Sequence, residues 1–171
     1  EQEQRALKTL ALCDLSGLYV KLGVKGPAAA GWLDEQTAEV PQQVYETSLD
    51  QERCLAVRLG EDEFLYEGIQ ACATLNALEA NLPTAPTGVY RVVREDATFL
   101  MVGGGAVDVL AETCGVELRN SPVGKVVLTR MAMVSAGVLP ERRGKGANRA
   151  RRVRQFDGNA GVGYFSRLWV V

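Results

Sequence analysis

The strongest constraint on how this chain can fold is a pattern it carries twice. Residues 22–33 read LGVKGPAAAGWL and residues 99–110 read FLMVGGGAVDVL. In each, a short apolar stretch of strand character ends at a glycine, and small residues lead into an apolar helical face. A shift of 77 residues lays Gly26 on Gly103 and Leu33 on Leu110. A strand that turns at once into a helix brings backbone close to backbone, which favours a residue without Cβ at the turn. Pro27 suits the first helical turn, because its missing N–H would have no helical partner there. The repeat predicts two similar αβ units arranged about a shared sheet or a pseudo-twofold axis.

The remaining stretches extend both units. Residues 4–13 read as a short lead-in helix and 19–26 as a half-buried strand. After Pro27 a helix is expected to carry Ala28, Trp32, Leu33 and Gln36 near one face. Residues 54–60 and 63–68 are strand candidates joined by Glu61-Asp62. Residues 69–82 read as an amphipathic helix through Ile69, Cys72, Ala73, Leu75, Leu78 and Leu82, and LPTAPTG at 82–88 is the clearest linker. In the second half, 89–95 and 97–104 read as strands. Residues 106–115 read as a helix with Gly115 at a left-handed cap. One long strand or two short ones are expected over 124–141, and a closing strand over 163–171. The expected fold class is α+β. Its first αβ unit is at 1–82, its linker at 83–88 and its second unit at 89–171, together one compact domain. The first half follows its last strand with a helix and the second stops at Val171, so the expectation is either that the last helix of the second unit is absent or that a C-terminal tail follows.

Which chemistry is open follows from what the chain lacks. It has no histidine, which excludes zinc sites of the Cys/His kind, a histidine-based triad and a histidine general base. The four cysteines, Cys13, Cys54, Cys72 and Cys114, are scattered without a CxxC pair and read as buried, reduced thiols, with Cys114 as the residual candidate for reactivity. No metal site is expected. The start, EQEQRALKTLAL, is acidic and amphipathic rather than a signal peptide, and no apolar run approaches the ~20 residues that span a bilayer. A cytoplasmic protein is the expectation.

Neither glycine-rich turn matches a nucleotide motif. VKGPA lacks the GxxxxGK[ST] spacing, and VGGGAVD has three consecutive glycines in place of GxGxxG. Both read as strand-to-helix turns. Glu61, Asp62 and Glu63 together read as a solvated hairpin tip rather than an acid/base pair. The segment from Glu141 to Arg154 departs from the rest. Arg142, Arg143, Lys145, Arg149, Arg151, Arg152 and Arg154 give it a charge of +6 in a chain of net −2, leaving −8 elsewhere. Such a segment is either a solvated loop or a footprint for an anionic partner, an acidic protein face before nucleic acid.

Taken together, ALCDLSGLYVKLGVKGPAAAGWL, VRLGEDEFLYEG, VLAETCGVELR, VLTRMAMVSAGVLP and SRLWVV resemble the gamma subunits of heterotetrameric sarcosine oxidases. These stand within the folate-binding aminomethyltransferase, or glycine-cleavage T-protein, superfamily. The resemblance covers roughly 10–140 and the last strand. It implies the superfamily's duplicated folate-binding fold in a non-catalytic subunit of a complex that oxidises N-methylated amines such as sarcosine. Flavin, NAD and tetrahydrofolate are then expected on larger partner subunits, with no cofactor assigned to this chain and its contact with folate left open. The basic segment departs from the family pattern, as does the absence of a KGC-aromatic-x-GQ signature, and no residue stands clearly in the place of the aminomethyltransferase catalytic Asp. The alternatives are a stand-alone folate-dependent transferase using Asp108 or Glu63, and an RNA-binding module built on 142–154.

Overall fold

The alternation at 19–25 forms strand β2 (Tyr19–Lys25) in the computed structural model, which describes residues 9–36, 38–142 and 164–170. The described residues fall into two units. The first holds 15–96 with 124–126, and the second holds 9–14, 97–123, 127–142 and 164–170.

In the first unit β2 lies between β5 (Glu63–Ile69) and β6 (Tyr90–Val92) in a sheet of order β3-β4-β5-β2-β6. Strands β3 (Thr47–Leu49) and β4 (Leu55–Gly60) complete it, and every neighbouring pair is antiparallel. Two helices follow their strands, α1 (Ala29–Glu35) after β2 and α2 (Ala73–Asn81) after β5. Successive side chains of a strand face opposite ways. Leu22 and Val24 of β2, with Phe64 and Tyr66 of β5, therefore join Trp32 and Leu33 of α1 and Leu75 and Leu78 of α2 in one core. From Phe64 to Gly68, β5 is buried on both faces, which is why FLY reads as a continuous apolar run. A single 3₁₀ turn, Leu82–Thr84, continues from α2.

The second unit has the sheet order β1-β7-β10-β9-β8, from β1 (Ala11–Asp14), β7 (Ala97–Val102), β8 (Val127–Met131), β9 (Val134–Arg142) and β10 (Tyr164–Val170). Helix α3 (Ala106–Thr113) follows β7, and Ala106 and Leu110 pack with Met101, Leu118 and Val138.

Gly26 and Gly103 end β2 and β7 with φ of 122° and 110°, a region L side chains rarely adopt. A Cβ on Gly26 would lie 2.2 Å from the Gly88 carbonyl oxygen, and one on Gly103 would lie 2.6 Å from that of Thr9. Both carbonyls accept from the helix start, Gly88 O from Ala28 N–H at 3.1 Å and Thr9 O from Gly105 N–H at 2.7 Å. Glycine is required at both positions by backbone direction and by space.

Several expectations are revised. The lead-in helix over 4–13 gives way to β1, which finds its hydrogen bonds on β7, with Ala11 opposite Val102 and Asp14 opposite Phe99; residues 1–8 lie outside the described residues. The helix expected from Ile69 starts at Ala73, because Ile69 is still a ladder residue opposite Tyr19 and Cys72 is extended. Ala29 rather than Ala28 is buried under α1. No left-handed cap forms at Gly115. Cys114 turns extended instead and bridges to Met131. The expected division at 83–88 is not where the contacts divide the chain, since β6 pairs with β2 and β1 with β7. The stretch 124–141, expected as one long strand or two short ones, forms two strands joined by a hairpin, β8 of five residues and β9 of nine.

Among the described residues, no helix is long and apolar enough to cross a membrane.

Candidate functional site

The densest charged cluster of the first unit is built over Gly23. Leu22 and Val24 face the helices, so Lys21 and Gly23 face the other way. Gly23 stands opposite Val92 in the β2–β6 ladder, and a Cβ there would meet the Val92 side chain at 2.7 Å and Arg94 Cγ at 3.2 Å. That gap lets Arg94 cross β2 toward β5, where its Nη1 lies 3.8 Å from Glu63 Oε1. Its Nε lies 3.5 Å from Asp96 Oδ2. The latter contact is an ion pair without a formed hydrogen bond. It is also well shielded, the side chains being 17% and 5% exposed. Lys21 Nζ donates to the Asp96 carbonyl at 2.5 Å. In the β2–β5 ladder Lys21 stands opposite Glu67, which is fully buried.

Arg94, Glu63, Asp96 and Lys21 therefore each meet an opposite charge or a carbonyl. Such an arrangement fixes the 93–96 segment against β2. Removing one member would strand a buried charge, which gives the cluster a structural role rather than a proton-transfer one.

The other titratable candidates are engaged in the same way. Asp108 Oδ1 accepts from Arg119 Nη2 at 2.8 Å, a surface pair with both side chains more than half exposed. Glu61 and Asp62 sit exposed at the β4–β5 turn, as expected of a hairpin tip. Arg58 donates to the carbonyls of Gln42 at 2.9 Å and Glu61 at 2.6 Å, with its guanidinium 5.3 Å from the Phe64 ring centroid. Asp50 accepts from Cys54 N–H at 2.7 Å and from the Thr74 hydroxyl at 2.5 Å, tying the turn before β4 to α2.

All four cysteines are free thiols, Cys54 and Cys72 buried and Cys13 and Cys114 half-buried. Burial pushes the Cys114 thiol above its ordinary pKa, against a smaller lowering from its hydrogen bond with Thr113. Its thiolate fraction at neutral pH is correspondingly small, which argues against a nucleophile. Cys54 and Tyr66 are pushed up chiefly by burial as well. Among the described residues, no three His, Cys, Asp or Glu side chains are grouped to hold a metal ion.

Of the seven basic residues singled out above, Arg142 ends β9 with its backbone opposite Tyr164. Arg143, Lys145, Arg149, Arg151, Arg152 and Arg154 lie outside the described residues. The Arg94 cluster was missed in the sequence. Its signal was a glycine inside the strand LGV, which marks close approach of another backbone, and the string VRED after an apolar run.

No family model and no curated protein matches the chain. Among solved structures the likeness is strong in shape. The chain has a mixed α/β fold, mostly strands, of the aminomethyltransferase type. It is similar over 97% of its length to a heterotetrameric sarcosine oxidase from Corynebacterium sp. U-96, in complex with pyrrole 2-carboxylate. That match covers 81% of the oxidase chain, with a TM-score of 0.64 and 19% identity. The glycine cleavage system aminomethyltransferase T from Bartonella henselae matches 98% of the chain over 44% of its own, with a TM-score of 0.58 and 15% identity. At these identities the likeness is one of fold.

Proposed function

We propose that this chain is a non-catalytic, gamma-type subunit of a cytoplasmic, multi-subunit oxidase or dehydrogenase of N-methylated amines such as sarcosine. The observation that carries the reading is the match to a chain of comparable length in a heterotetrameric sarcosine oxidase, 97% of this chain on 81% of that one. The engagement of Asp108 and Glu63 in ion pairs supports the same side. Flavin and tetrahydrofolate then belong to larger partner chains, and the role of this one is assembly. The segment Arg142–Arg154, with Arg143, Lys145, Arg149, Arg151 and Arg152, would dock on an acidic face of such a partner.

The fold itself is inferred to be a duplication. In support, the strand orders β3-β4-β5-β2-β6 and β8-β9-β10-β7-β1 read alike when β7 stands for β2, and the glycine turns fall at residues the sequence shift pairs.

Affinity capture of the tagged chain from its native host tests the proposal. Co-elution with larger chains and a flavin spectrum is expected. A colourless single chain that binds tetrahydrofolate in calorimetry would overturn it in favour of a stand-alone transferase.

A further inference from the structure

We draw no further inference here: the strongest candidate, the exposed apolar side chains Leu128, Met133 and Val134 of the β8–β9 hairpin, carries none because nothing in the structure shows what covers them.

Discussion

Replacing Gly26 by Ala and Gly31 by Ala makes the same chemical change at two positions five residues apart, with opposite signs expected. At Gly26 the added Cβ meets the Gly88 oxygen at 2.2 Å and the backbone has φ 122°. A non-glycine residue at positive φ costs about 1–2 kcal/mol. Forcing a methyl into filled space adds about 1–3 kcal/mol. Displacing Gly88 also strains the hydrogen bond from Ala28, worth about 1 kcal/mol. The total is about 3–6 kcal/mol, which at roughly 2–4 °C per kcal/mol for a chain of this size lowers Tm by roughly 6–24 °C. Gly31 lies inside α1, exposed, with nothing within 4 Å of its added Cβ. Alanine there should stabilise by about 0.5–1 kcal/mol through helix propensity. Thermal melts followed by circular dichroism, with urea titration at fixed pH, read both variants. A Gly26→Ala protein melting with the parent, or a Gly31→Ala protein melting well below it, would refute the close-approach account of the β2–α1 turn.

Other perturbations reach the charged cluster, the hairpin and the buried acids. Arg94→Met leaves the shielded Asp96 without its ion pair and should cost about 2–4 kcal/mol in urea unfolding. Adding Asp96→Leu should recover part of that loss, and a double-mutant cycle showing no coupling between the two would contradict the pairing. Ala132 and Met133 both hold positive φ, 48° and 72°, in the turn between β8 and β9. A type I′ turn prefers Asn-Gly at such positions, so Ala132→Asn with Met133→Gly should raise stability by about 1–2 kcal/mol, with a lower Tm counting against this geometry. Cys54 and Tyr66 have raised pKa values in the fold, so the unfolded chain releases these protons first. Their contribution is fully present below the ordinary thiol value of 9.0 and declines as pH rises above it. Tm should therefore fall between about pH 9 and pH 11, less steeply in Cys54→Ala than in the parent, and a flat profile would argue against burial of these groups.

How much of this was legible depends on whether an element announces itself locally. The β2–α1 and β7–α3 turns were readable, because glycine, small residues and a change of period sit side by side in LGVKGPAAAGWL and FLMVGGGAVDVL. The β4–β5 hairpin was readable for the same reason, two apolar runs around Glu61-Asp62. The edge strands were not. ALCD is too short for periodicity to separate helix from strand, and only its distant partner, β7, decides the matter. Likewise, the stretch after the linker reads as the start of a new unit, yet Val92 pairs with Gly23, far back in the sequence. Gly115 has the right residue type for a helix cap, but the pairing of Cys114 with Met131 supersedes that local preference. The Arg94 cluster needs three separate segments, β2, β5 and 94–96, and a gap over one glycine, none of which a linear pattern expresses.

The central claim is that this chain works as a small part of a larger assembly. Native mass spectrometry of the tagged protein, purified gently from its own host at moderate salt, addresses it most directly. The account predicts a complex far above the 18.5 kDa of the chain alone, which dissociates into this subunit and larger flavin-bearing chains. A species at the mass of the single chain, unchanged by salt or concentration, would contradict it.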